Sequence, residues 1–172
     1  MSTIRILSVT EAQARREALV DLLVDAVDSG ASVNFVQPMT REKSESWWSG
    51  ALASHARGER VIFAAEADGQ LLGSVQLIFP GPENQAHRAD IGKLLVHTTA
   101  RRRGLGAALM QAAEAEARHR GRTLLLLDTE ADSPADRLYT RLGWTRFGTV
   151  PGYALTADGT RAADCAFFYK TL

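Results

Sequence analysis

Residues 93–107 read KLLVHTTARRRGLGA. The apolar Leu94-Leu95-Val96 closes a strand, and a short basic turn holding Gly104 and Gly106 then opens a helix. A helix N-terminus offers unpaired backbone N–H groups and the positive end of the helix dipole, so it binds phosphate oxygens. Gly104 and Gly106 let the main chain approach an anion with no Cβ in the way. Arg101, Arg102 and Arg103 add positive charge. The pattern points to a pyrophosphate. It differs from both common nucleotide fingerprints, having no third glycine at the dinucleotide spacing and no Gly-Lys-Ser/Thr. The plain alternative is a tight strand–helix turn with solvated arginines.

The strand leading into this turn runs from about Ala89 to Val96, and Gly92 inside it marks a bulge. The helix behind it extends to about Arg120 with an apolar stripe of Leu105, Ala108, Leu109, Ala112, Ala113 and Ala117, and Gly121 ends it. Thr123–Asp128 is a near-continuous apolar run, which predicts a strand covered on both faces with a parallel neighbour. Strand, helix and strand then form a right-handed crossover. Downstream, Ser133 caps a short helix that has Pro134 at its first position and ends near Gly143. Trp144–Val150 and Cys165–Thr171 read as strands around a turn-rich loop, Pro151–Gly159. Upstream, Thr3–Val9 alternates as a strand and Glu11–Asp28 has helical spacing. Thr40 caps a second helix to about Ala56 with Trp47, Ala51, Leu52 and His55 along one side. Asp68-Gly69 turns a hairpin between VIFAAEA and QLLGSVQLIF. The predicted order is β α α β β β α β α β β, a mixed α/β fold around one central sheet flanked by helices.

The chain has 172 residues with no repeat, low-complexity tract or linker, which argues for a single domain over 1–172. It carries 20 Lys plus Arg against 20 Asp plus Glu, so a dedicated nucleic-acid or membrane-surface binder is not expected. Nucleic-acid binding through Arg101–Arg103 is opposed by the same balance. A single cysteine, Cys165, allows no internal disulfide, and no run approaches the roughly 18 apolar residues of a membrane span. With no signal-peptide core at MSTIRILSV, a cytoplasmic location is expected. His87 and His97 lack a second ligand at metal spacing, so no metal is expected.

Arg101-x-x-Gly104-x-Gly106 after Leu94-Leu95-Val96, together with Leu138-Tyr139-Thr140-Arg141-Leu142-Gly143-Trp144, resembles the GNAT superfamily of N-acetyltransferases. The succession of elements is similar to that family over nearly the whole chain. GASVNF at 30–35, DTEA at 128–131, PGYA at 151–154 and the C-terminal FYKTL resemble its tabtoxin-resistance branch. The resemblance implies acetyl-CoA as donor, a small-molecule primary amine as acceptor, and a monomer or homodimer. Within it, the backbone of Leu94, Leu95 and Val96 pairs with the pantetheine arm, and Arg101, Arg102, Arg103, Gly104, Leu105, Gly106 and Ala107 hold the pyrophosphate. The branch implies acetylation of tabtoxinine-β-lactam or a similar toxin or antibiotic. Other acceptors in the same class are another small amine or a protein N-terminus, and a non-catalytic CoA sensor is the alternative outside it.

An alkyl amine is mostly ammonium near neutrality and must lose a proton before it attacks. Asp90 and Asp128, at the start of one strand and the end of its predicted parallel neighbour, are the candidates to take that proton, directly or through water. Their structural alternatives are a solvated strand end and a turn cap. Tyr139 matches the family tyrosine that protonates the departing thiolate, with packing on the sheet as its alternative. Ser32, Asn34, Trp47 and Tyr153 are the candidates for the acceptor pocket. Cys165, in an apolar strand with no neighbouring histidine, reads as a small buried hydrophobe rather than an acyl carrier.

Overall fold

A computed structural model describes residues 2–172. Seven strands form one sheet in the order β1-β2-β3-β4-β5-β7-β6. They are β1 (Thr3–Ile6), β2 (Arg60–Ala67), β3 (Gln70–Ile78), β4 (Arg88–Val96), β5 (Leu124–Glu130), β6 (Thr145–Leu155) and β7 (Ala162–Thr171). Among the described residues only β4 and β5 run parallel, as the intervening helix requires. The helices are α1 (Val9–Ala14), α2 (Arg16–Asp28), α3 (Arg41–Ala56), α4 (Leu105–His119) and α5 (Pro134–Arg141).

Strand β2 shows why the sheet has two covered faces. Val61, Phe63 and Ala65 join the core beneath α4, with Leu109 and Met110. Ile62 and Ala64 join the opposite core, with Leu19, Leu23 and Trp48 of α2 and α3. Alternate residues of a strand point to opposite faces, so an unbroken apolar run needs cover on both.

Four expectations need correction. The helix over Glu11–Asp28 is two helices: Ser8 caps the first in a reciprocal box with Glu11, and Arg15 (φ −94°, ψ 5°) breaks the ladder before the second. Ser8 also ends the first strand early, since its side chain satisfies a helical N–H. The apolar run on β5 is covered on one face only: Leu125 and Leu127 are buried, Leu124 and Leu126 are half-buried, and Asp128 is exposed. The α2–α3 layer reaches β2, β3 and β4 and leaves this face of β5 open. Finally, β6 continues through Leu155. An irregularity between Val150 and Ala154 absorbs Pro151 and Gly152, and the Gly152 N–H donates to Asp164 at 2.9 Å.

A buried polar triad locks the C-terminal half. Glu114 on α4 accepts from Trp144 Nε1 at 2.9 Å and from Lys170 Nζ at 2.8 Å, and the Lys170 ammonium also donates to the Leu142 carbonyl at 2.7 Å. Glu114→Ala leaves the ammonium and an indole N–H short of a partner. It should lower unfolding stability by about 2 kcal/mol, below the roughly 3–5 kcal/mol of a fully buried broken pair, because Lys170 keeps some solvent and its bond to Leu142 O. Urea denaturation with an unchanged slope checks this.

Candidate active site

β4 and β5 pair only at Arg88–Leu124, Ala89–Leu125 and Asp90–Leu126. Beyond that point β4 stays on β3 as far as Val96, while β5 stays on β7 as far as Glu130. The two strands therefore part beyond Asp90 and Leu126. Ligands of open α/β sheets lie in such crevices, outside the carboxyl ends of parallel strands. Gly92 and Lys93 mark the departure. The register slips between Ser74 and Gln76, which pair with Leu95 and Gly92. Lys93, within the slip, takes a left-handed backbone (φ +51°). A Cβ on Gly92 would meet Ile78 Cδ1 at 2.9 Å, so a larger residue there would push the Ile78 side chain aside.

The turn after β4 delivers α4 to the mouth of this gap. Gly104 is the N-cap in a left-handed conformation (φ +81°), and no side chain caps the helix. By contrast, Thr40 caps α3 and Ser133 caps α5. The first intrahelical bond of α4 runs from Ala108 N–H to Gly104 O, at 3.0 Å. The N–H groups of Leu105, Gly106 and Ala107 precede it and remain for an anion. A Cβ on Gly104 would meet nothing within 4 Å, whereas one on Gly106 would meet Leu138 Cδ2 at 3.3 Å. Gly104 thus serves the turn and Gly106 serves the packing of α4 on α5. Arg102 and Arg103 are exposed at the mouth. Arg101 is tied back: its guanidinium donates to Val96 O at 3.2 Å and to Ser29 Oγ at 2.5 Å.

Asp128 lies on β5 two residues past the last pair with β4. Its carboxylate accepts from the Cys165 thiol at 3.6 Å, and its charge acts on Asp90, Lys93, Tyr139 and Cys165. Burial holds Asp90 above the ordinary carboxylate range, the adjacent Arg88 guanidinium opposes this, and Asp128 adds to it. Burial and then Asp128 push the Tyr139 phenol upward, so it stays protonated. The same two causes lift the Cys165 thiol to about 11, which removes it as a thiolate nucleophile. Tyr139 is buried, with ring centroids 6.2 Å from Trp144 and 5.9 Å from Phe168.

The acceptor candidates separate. Trp47 lies on the cleft side of α3, edge-on to Phe35 at 6.1 Å, while its neighbour Trp48 is fully buried in the core. Tyr153 is 55% exposed and packs edge-on against Phe167 at 5.3 Å. Ser32 and Asn34 lie on the loop before α3, half-buried and exposed respectively. That loop is tied to the β6–β7 turn by Gln37 N–H to Ala157 O, at 2.7 Å. Two residues that sequence reasoning passed over also face the cleft. Lys93 stacks its ammonium over Phe35 and Trp47. Its signal was present, as a charged residue beside glycine inside an apolar strand. Phe35 gave none.

The family model for acetyltransferases of the GNAT type matches residues 19–144. An uncharacterized N-acetyltransferase from the hisH–hisA intergenic region of Azospirillum brasilense is 39% identical over 112 residues, 64% of this chain and 65% of that protein. The chain therefore aligns with less than two-thirds of that relative's length. Among solved structures, a ribosomal-protein-alanine N-acetyltransferase from Brucella melitensis is 25% identical, with TM-score 0.80 over 99% of both chains. The Salmonella typhimurium protein yncA, with its cofactor acetyl-CoA, is 21% identical with TM-score 0.79, over 100% of this chain and 94% of that one.

Proposed function

This chain belongs to the GNAT family of acetyltransferases, and from that premise we propose that it transfers an acetyl group from acetyl-CoA to a primary amine of a small molecule. The observation that carries the reading is the parting of β4 from β5 beside the uncapped N-terminus of α4, with Asp128 in the gap. The residues present fit the donor. Leu105, Gly106 and Ala107 N–H groups, with Arg102 and Arg103, would take the pyrophosphate. The backbone of Leu94–Val96 would pair with the pantetheine arm, and Arg101 would hold the turn through Val96 O. Acetyl-CoA supplies the acetyl group as a thioester.

The acceptor ammonium is drawn to Asp90 and Asp128. One of them takes its proton, directly or through a water, and the freed lone pair attacks the thioester carbon. An N–H at Leu95 or Val96 donates to the carbonyl oxygen as negative charge grows there. The C–N bond forms, the C–S bond breaks, and Tyr139 gives its proton to the departing sulfur. The charges are coupled. While Asp128 is ionised it disfavours a Tyr139 phenolate. Once Asp128 has accepted the amine's proton that penalty is gone, and the phenol releases its own proton more readily. Tyr139→Phe keeps the contacts with Trp144 and Phe168 and removes only the donor. It should lower kcat about tenfold with little change in the KM for acetyl-CoA, since a thiolate with a conjugate acid near 8.5 leaves tolerably without help. Steady-state kinetics separate the two parameters.

Resemblance to the tabtoxin-resistance branch supports a toxin or antibiotic of the tabtoxinine-β-lactam kind as acceptor, and resistance as the biological role. A second reading, a protein amino terminus, is favoured by the exposed Phe147, Tyr153 and Leu155 beside the cleft. The experiment is a mass-spectrometric screen for gain of one acetyl group, with tabtoxinine-β-lactam, other small amines and N-terminal peptides as arms. No acetylation in any arm, with acetyl-CoA bound, would overturn the transferase reading.

A further inference from the structure

Lys93 is the unusual residue of the cleft. It sits at the point where β4 leaves β5, in a left-handed backbone (φ +51°) that a non-glycine residue adopts at a cost. Its ammonium is half-buried, 5.2 Å from the Trp47 ring centroid and 5.6 Å from that of Phe35. It forms no ion pair or hydrogen bond among the described residues, unlike Lys170, which pairs with Glu114 at 2.8 Å. Asp128 is near enough for its charge to act on Lys93 but does not bridge to it. The pair thus spans the gap with opposite charges at separate positions.

A second cation, Arg60, is near enough for its charge to act on Lys93. Gln76, opposite Gly92 in the sheet, has given its oxygen to Arg60 at 2.7 Å. Its buried Nε2 has no partner among the described residues. Arg60 itself donates to Gln76 and to Ser54, and the Glu59 charge acts on it without a bridge. A desolvated cation without an ion pair, beside a second cation, favours an incoming anion.

We propose that Lys93 recognises a carboxylate on the acceptor, so that the protein selects amines that carry an acid over those that do not. The acceptor lies across the gap, with its amine on Asp128 and Asp90 and its carboxylate on Lys93. Phe35 and Trp47 keep the ammonium in place and exclude water from the contact. Burial brings the Lys93 ammonium down to about 8, against the opposing pull of Asp128, so it is charged at neutrality and gains from a counter-ion. The proposal rests on the acetyl-transfer reading and deepens it.

The test compares amino acids with their C-terminal amides and their decarboxylated amines, by acetyl-CoA-dependent release of free thiol. The acids should be preferred at least tenfold in kcat/KM, as one charge-assisted hydrogen bond implies. Lys93→Met should bring that ratio close to one by raising KM for the acids, and Lys93→Arg should restore part of it. The wild-type ratio needs no variant, so a misfolded Lys93→Met leaves the test intact. If wild type acetylates amides and decarboxylated amines as well as the acids, the role of Lys93 is overturned and the transferase reading stands. Turnover of peptide N-termini alone also overturns it. If no amine of either kind is acetylated, the transferase reading fails and this proposal with it.

Discussion

Asp128→Asn is expected to reduce acetyl transfer by roughly 10²- to 10⁴-fold, the usual range for losing a positioned general base. Acetyl-CoA affinity, measured by calorimetry, should stay near wild type, because the pyrophosphate contacts proposed above lie at the start of α4. The residual activity has a second signature. In the wild-type protein the Asp128 charge disfavours ionisation of Asp90. Asparagine removes that charge, so Asp90 ionises at lower pH. The acid limb of the rate profile depends on having an ionised carboxylate, and it should therefore move to lower pH in the variant. A wild-type rate and profile would take Asp128 out of the chemistry. A lower rate with an unmoved limb would leave it a role independent of Asp90.

Gly104→Val is expected to cost about 10²-fold in kcat/KM, mainly by raising the KM for acetyl-CoA. Space is not the reason, since a Cβ there meets nothing within 4 Å. The backbone is: at φ +81° a β-branched residue pays roughly 1–2 kcal/mol or more, and the chain relaxes by rotating out of that region. Rotation re-aims the first N–H groups of α4. Loss of two hydrogen bonds to a charged group, each about 1.5 kcal/mol, gives the stated factor. Gly104→Ala should fall between wild type and valine. Equal acetyl-CoA saturation curves for all three proteins would show that this turn does not hold the donor.

Much of this fold is legible in the residues because its signals are local. Thr40 and Ser133 cap their helices through contacts three residues away. Asp68-Gly69 turns its hairpin with positive φ at both positions, as a tight strand pair demands. The glycine pattern after β4 announces a helix start left open for an anion. The misjudged features depend on what lies across space. The run Thr123–Asp128 predicts burial on both faces, and the open face of β5 follows from where the α2–α3 layer stops. Pro151 and Gly152 read as a loop, and Asp164 on the neighbouring strand holds them in β6.

The candidate site divides the same way. Composition and spacing alone determined the class of fold, the anion-ready turn at 101–107, and the two carboxylates on neighbouring parallel strands. Hydrogen bonds within a turn and the period of a strand act over a few residues, so the order of residues suffices to specify them. Only the tertiary structure decided that Asp128 acts electrically on Asp90, Tyr139, Lys93 and Cys165 together. It alone placed Phe35 and Trp47 beneath the Lys93 ammonium. Charge–charge and charge–ring interactions depend on separation and desolvation, and both arise when segments distant in the chain close around one gap in the sheet.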